Sequence, residues 1–249
     1  MPPSPAPLTG RIALVTGASR GIGAATALAL GKAGAHVVAV ARTVGGLEEL
    51  DDAIGAAGGS ATLVPLDVTD FEGLARLAGA LNERYQRLDI LVGNAGIAGP
   101  SSPLDHITLQ DWDEVMKVNV TANWQLICAM DALLRRSDAG RAVFLTSGAA
   151  HNMRPYRGLY STSKAALEAV VRTYAAETER TAVRVNLFNP GPTRTRMRAQ
   201  VMPGEDPMTL PPPEEVAEKI VELCVPGFSE TGRIYDFRSR KLMAFRKPE

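Results

Sequence analysis

Short runs of Val, Ile and Leu recur along the chain, separated by longer stretches in which apolar residues return every three or four positions. The short runs predict strands at 11–16, 36–41, 61–66, 88–93, 141–146, 183–188 and 233–237. Most are nearly continuous apolar segments, the pattern of strands covered on both faces. The longer stretches predict helices at 21–33, 45–57, 70–86, 108–136, 158–178 and 213–224. Strand and helix alternating in this way predict an α/β fold, a doubly wound parallel sheet of about seven strands with helices on both faces.

Two segments fall outside the rhythm. Residues 191–213 hold six prolines and three methionines without periodicity. They follow the sixth strand, at the carboxyl edge where such sheets bind ligands, so a substrate lid is expected there. The first ten residues carry four prolines and neither a basic nor an apolar leader pattern. Residues 1–9 are therefore expected to be a flexible arm, and 10–249 a single domain.

Composition narrows the choice of partners. With 249 residues, 45% of them hydrophobic, the chain is long enough to bury one large core. Lys plus Arg and Asp plus Glu both number 27, so no net charge draws the molecule to nucleic acid or an anionic membrane. The most apolar window, 22–41, contains Lys32, His36 and three glycines and divides into helix, turn and strand, which leaves no membrane span. Cys128 and Cys224 lie far apart with no histidine nearby, so they are expected to be core thiols in a cytoplasmic protein, with no metal site.

The first strand runs into "TGASRGIG", residues 16–23. Gly17, Gly21 and Gly23 match neither Gly-x-Gly-x-x-Gly nor a P-loop, yet they form a glycine-rich turn from strand to helix. With Ser19, Arg20 and Ile22, that turn permits close backbone approach, and the free amides of the next helix favour a pyrophosphate, as in a Rossmann-type fold. Where an acid would hold a ribose diol after the second strand, the chain has Ala41 followed by Arg42. Arg42, with Arg20 across the turn, favours the 2′-phosphate of NADP(H), with NAD(H) the alternative. Asp67, followed by Val68, stands after the third strand, placed either to accept from an adenine amine or to cap the next helix with Thr69 and Asp70. After the fourth strand, Asn94, Ala95 and Gly96 offer small residues where a ribose or a helix packs closely. Finally, Tyr160 and Lys164 are spaced to share one helical face, bringing a phenol and an amine together.

In this order, "TGASRGIG", Asp67, "NAG" at 94–96, Asn119 in "VNV", Ser147 in "LTSG", "YSTSK" at 160–164 and "NPGPTRT" at 189–195 resemble the short-chain dehydrogenase/reductase family over nearly the whole chain. The resemblance implies a catalytic tetrad of Asn119, Ser147, Tyr160 and Lys164, with Asn119 helping to hold a water beside Lys164. It also implies that Tyr160 and Lys164 touch the cofactor, that Pro190, Gly191 and Thr193 lie against the nicotinamide, and that the protein is a homodimer or homotetramer. Ionising a phenol at neutral pH requires roughly three pKa units, on the order of 4 kcal/mol. An ammonium about 4 Å away, at an effective dielectric near 20, offers roughly that much before desolvation is set against it. Lys164 is thus expected to poise Tyr160 as general acid or base, while Ser147 hydrogen-bonds the substrate oxygen.

The expected activity is NADP(H)-dependent interconversion of a carbonyl and an alcohol, with 3-oxoacyl reduction one candidate. The other reading is a silent NADP(H)-binding sensor or scaffold. His151, Met153, Tyr156 and Met197, together with Ser147 and Tyr160, are expected at the substrate, in an apolar, adaptable pocket. Arg194, Arg196 and Arg198 read as a solvated run, the alternative being that they face an anionic substrate tail. Two features depart from the family pattern: Gly93 replaces the first of two asparagines, and the chain closes on "RIYDFRSRKLMAFRKPE", with six basic residues against two acidic.

Overall fold

The computed structural model describes residues 6–245. Its sheet holds eight strands in the order β3-β2-β1-β4-β5-β6-β7-β8. These are β1 (Ile12–Thr16), β2 (His36–Ala41), β3 (Ser60–Pro65), β4 (Ile90–Gly93), β5 (Arg141–Leu145), β6 (Arg184–Asn189), β7 (Arg233–Asp236) and β8 (Lys241–Ala244). All neighbours are parallel except β7 and β8. The helices are α1 (Gly21–Lys32), α2 (Val44–Ala56), α3 (Phe71–Tyr85), α4 (Leu109–Met116), α5 (Ala122–Arg135), α6 (Ala149–Asn152), α7 (Gly158–Glu177), α8 (Arg196–Val201) and α9 (Pro213–Cys224).

Apolar side chains alternating along the central strands feed two cores. One lies under α3, α5 and α7, with Leu14, Leu91, Phe144 and Leu187 in it. The other lies under α1, α2 and α9, with Val15, Val92, Val143 and Phe188. This explains why β1, β4 and β5 are buried at every position. The chain reverses direction across the sheet between β1 and β4, and the crevice outside their carboxyl ends is where ligands bind in such sheets.

Five features differ from the sequence expectation. An eighth strand extends the sheet: all four residues of β8 are exposed, so the apolar alternation that marks a strand is missing. The basic tail is thus an edge strand up to Ala244, with Phe245 packed under the guanidinium of Arg172 at 4.1 Å, while residues 246–249 lie outside the described residues. The helix expected over 108–136 is divided into α4 and α5 by a π-turn at Lys117–Thr121. The Pro-rich arm is anchored within its described part, because Leu8 is fully buried and its amide donates to the Ala33 carbonyl; residues 1–5 lie outside the described residues. Cys128 is exposed on α5 and only Cys224 is a core thiol, with burial pushing it up to about 12. The segment 191–213 is partly ordered by α8 and by a single turn at Pro207–Thr209. Among the described residues no helix is long and apolar enough to cross a membrane, and no cluster of His, Cys, Asp and Glu is built to hold a metal.

Candidate active site

Sequence reasoning places its candidates on separate strands and loops, and the sheet order brings them to one edge. In the glycine turn, Gly17 and Gly21 have φ of +66° and +57°, the left-handed region that glycine enters without strain. A Cβ on Gly23 would meet the Gly17 carbonyl oxygen at 2.2 Å, so the first turn of α1 lies directly on the turn before it. The N-cap of α1, Arg20, makes no side-chain cap, which leaves the first amides of the helix free to point at an anion. That geometry fits a dinucleotide pyrophosphate.

Asn94 secures this turn. Its Nδ2 donates to the Thr16 carbonyl at 2.8 Å and the Gly17 carbonyl at 3.3 Å, and its own amide donates to Thr16 Oγ1. The amide nitrogen is therefore engaged in holding the loop, leaving only its Oδ1 and the neighbouring Ala95 and Gly96 for a ribose. Gly93 is explained by space: a Cβ there would lie 2.3 Å from the Phe144 ring. The asparagine of the family pattern has no room beside that ring.

Arg42 and Asp67, taken separately in the sequence, are 3.6 Å apart and both substantially exposed. Asp67 also accepts from the amide and hydroxyl of Thr69, and these bonds with Arg42 hold its carboxyl below the usual range against the effect of burial. The cap of α3 is Asp70, which accepts from the Gly73 amide, so Asp67 is released from that role.

The four residues of the implied tetrad converge. Tyr160 and Lys164 face inward from α7, and Lys164 is buried with Nζ 5.8 Å from the phenol ring centroid. Nζ donates to the Leu145 carbonyl at 2.8 Å, two residues before Ser147. Asn119 occupies the middle of the π-turn, fully buried. Its side chain donates to the Ile97 carbonyl and to Ser163 Oγ and accepts from the Ile97 amide, joining the loop after β4 to α7. A Cβ on Gly96 would stand 3.2 Å from Asn119 Oδ1 and 3.6 Å from Lys164 Nζ, which puts both beside that loop.

Burial acts on the two titrating groups in opposite directions. It pushes Lys164 down to about 8, with nearby Glu168 opposing, and pushes Tyr160 up, with a hydrogen bond from Ser147 and the Arg157 charge opposing. Desolvation, the cost that the Coulomb argument leaves to be set against it, ranks first at both groups. At neutral pH Lys164 is still charged and Tyr160 still carries its proton. The lowered lysine also makes a stability prediction. Unfolded, the amine has its ordinary value of 10.5, so between about 8 and 10 the unfolded chain binds more protons and stability rises with pH. Lys164→Met is expected to remove that rise, worth up to about 3 kcal/mol, in urea midpoints measured across this range. Equal pH dependence in both proteins would contradict it.

Sequence reasoning missed Glu168, buried four residues beyond Lys164 on the same face of α7. Thr146 Oγ1 donates to it at 2.6 Å and His151 Nε2 lies 3.1 Å away, so α7 is docked to the end of β5 at two successive residues. An acid at an inward-facing position one turn after Lys164 was the available signal. His151, expected at the substrate, has Nε2 turned to Glu168. Met153 and Tyr156 are exposed in left-handed backbone conformations, φ 40° and 64°, on the loop before α7. Met197 is partly exposed on α8, and Pro190, Gly191 and Thr193 follow β6, with Thr193 buried. A cavity of about 310 Å³ in the segment after β6 is lined by Arg194, Arg196, Arg198, Met202, Pro207 and Leu210.

Comparison with known proteins agrees with this geometry. The sequence signature of short chain dehydrogenases matches residues 11–206. An uncharacterized oxidoreductase of Escherichia coli, YciK, is 37% identical over 84% of each chain. The short-chain dehydrogenase/reductase FrzI of a Cladobotryum species is 40% identical over 80% of this chain and 75% of its own. Among solved structures, a short chain dehydrogenase of Shigella flexneri complexed with NADP superposes with a TM-score of 0.89 at 35% identity, covering 94% of this chain and 99% of that one. Turn, sheet order and signature agree, and the chain belongs to the short-chain dehydrogenase/reductase family of oxidoreductases.

Proposed function

We propose that the protein is an NADP(H)-dependent carbonyl reductase in which Tyr160 is the proton donor. The carrying observation is the set of side chains at one sheet edge: a protonated phenol on α7, a buried amine one turn behind it, and Ser147 just beyond β5, whose last carbonyl accepts from that amine. A bound reduced nicotinamide would supply the hydride.

Ser147 orients a substrate carbonyl oxygen toward the phenol and stabilises charge developing on it. Tyr160 gives that oxygen its proton, and the charged Lys164 amine stabilises the phenolate left behind. Asn119 keeps the loop at 94–97 against α7, which fixes the floor on which the amine rests. In the reverse direction the phenolate takes the proton from an alcohol.

For the cofactor, the amides around Gly17, Ser19, Gly21 and Ile22 would hold the pyrophosphate, Asn94 to Gly96 a ribose, Asp67 and Val68 the adenine end, and Pro190, Gly191 and Thr193 the nicotinamide end. Arg42 and Arg20 would hold the 2′-phosphate. The exchange costs little, because an exposed pair such as Arg42 with Asp67 contributes at most about 1 kcal/mol. Relatives from Shigella flexneri and Escherichia coli solved with NADP and NADPH support this choice. Arg42→Ala is expected to weaken NADPH binding about tenfold and NADH binding little, read by calorimetry; equal affinities for the two in the parent protein would defeat it.

The function is tested by incubating the protein with NADPH and a panel of ketones and aldehydes while following the nicotinamide absorbance. Turnover of at least one is expected, and NADPH binding without turnover of any would favour the sensor. A homodimer or homotetramer through α5 and α7 belongs to the same reading, and sedimentation tests it.

A further inference from the structure

Arg157 is the N-cap residue of α7, a helix of 20 residues with no acid in its first turn. A cation there is repelled by the positive end of the helix dipole, so it lowers local stability where an acid would raise it. The guanidinium is half-buried, and burial pulls its pKa down. No carboxylate pairs with it among the described residues; its one side-chain partner is Ser101 Oγ, at 3.1 Å. Its centre lies 5.2 Å from the Tyr160 ring centroid, a cation–π contact that uses the face of the group and leaves most of its five edge donors free. A half-buried cation without a carboxylate partner, held at the unfavourable end of a helix beside the reacting phenol, is a local conflict of the sort found at ligand sites.

The surroundings have the same sign. The Ser102 amide donates to the Tyr156 carbonyl and the Gly148 amide to Asn189 Oδ1, and the stretches so joined, 97–104, 148–163 and 190–204, carry Arg154, Arg157, Arg194, Arg196 and Arg198 and no acid, with Asp105, Glu205 and Asp206 directly after them. Of these, Arg198 is neutralised by Glu205 through bonds of 2.5 and 2.6 Å. Arg157 is the one whose guanidinium lies against the phenol.

We propose that Arg157 is a specificity-determining residue that binds a carboxylate of the substrate, so that the natural substrate is an oxo acid with its acid group close to the reacting carbonyl. The inference rests on the reading of Tyr160 above and names the substrate class of that site. The fork of N–H donors takes a carboxylate in two parallel bonds, which lays the adjoining carbonyl against Tyr160 and Ser147. The anion supplies the partner that the fold withholds.

The experiment compares acetoacetate and levulinate with their methyl esters, using NADPH and the parent, Arg157→Gln and Arg157→Lys proteins. The parent is expected to prefer each acid to its ester in kcat/KM, with the preference weakening as salt is added. Arg157→Gln is expected to reduce the acid-to-ester ratio about a hundredfold, and Arg157→Lys to retain part of it. An ester favoured in the parent, or a ratio that Arg157→Gln leaves in place, would overturn the proposal even while ketones are reduced. Calorimetry with levulinate reads the same pairing without turnover. Binding that Arg157→Gln loses supports the proposal, and equal binding in both proteins, or none in either, overturns it. Levulinate binding to a parent protein that reduces no ketone would count against the function of Tyr160 alone.

Discussion

Tyr160→Phe is expected to lower kcat about a thousandfold while KM and the NADPH dissociation constant change little. The substitution removes one oxygen and keeps the ring, so the packing of Lys164 and Arg157 around it, at 5.8 and 5.2 Å from the centroid, is preserved. What is lost is the proton donor, and a positioned general acid contributes typically 10²–10⁴-fold. Ser147 has a hydroxyl far too weakly acidic to replace it, so a loss in the middle of that range is expected. Single-turnover kinetics with saturating NADPH separate this loss from any effect on binding. Turnover within threefold of the parent would remove Tyr160 from the chemistry.

Gly23→Ala is expected to have the second largest effect, through the fold of the nucleotide turn. The new methyl would sit 2.2 Å from the Gly17 carbonyl oxygen and 2.4 Å from Asn94 Nδ2, and neither is the far end of a flexible chain. The carbonyl is backbone, and Nδ2 is fixed by its bonds to Thr16 and Gly17. Helix α1 would have to move off the turn, at a cost of about 1–3 kcal/mol for an overpacked core position. NADPH affinity should fall at least tenfold with it, because the amides of the turn would no longer converge. Denaturant midpoints and NADPH calorimetry on the same samples check the two effects together; an unchanged midpoint with full affinity would show that the close approach is not needed.

The parts legible in the sequence are those with a periodic or spaced signature. β1, β4 and β5 are readable because both faces are covered, which makes their residues uniformly apolar. Tyr160 and Lys164 are readable because one helical turn separates them, and the glycine turn because positive φ restricts residue choice. The unreadable parts depend on neighbours distant in the chain. β8 has no buried face and exists by pairing with β7. The π-turn that places Asn119 has no compositional mark, since widening one turn of a helix leaves its residue types unchanged. The pairing of Arg42 with Asp67, the role of Asn94 in closing the turn and the docking of Glu168 onto Thr146 and His151 are contacts between separate strands and loops. The balance of acidities at Tyr160 and Lys164 depends on burial, whose size spacing alone does not give: desolvation pushes the phenol up and the amine down.

The account's central claim, that Tyr160 exchanges the proton, is tested most directly by the pH profile of kcat/KM for alcohol oxidation. The parent should rise with pH along a limb that the residual activity of Tyr160→Phe lacks. A limb that persists at the same pH in Tyr160→Phe would contradict the claim.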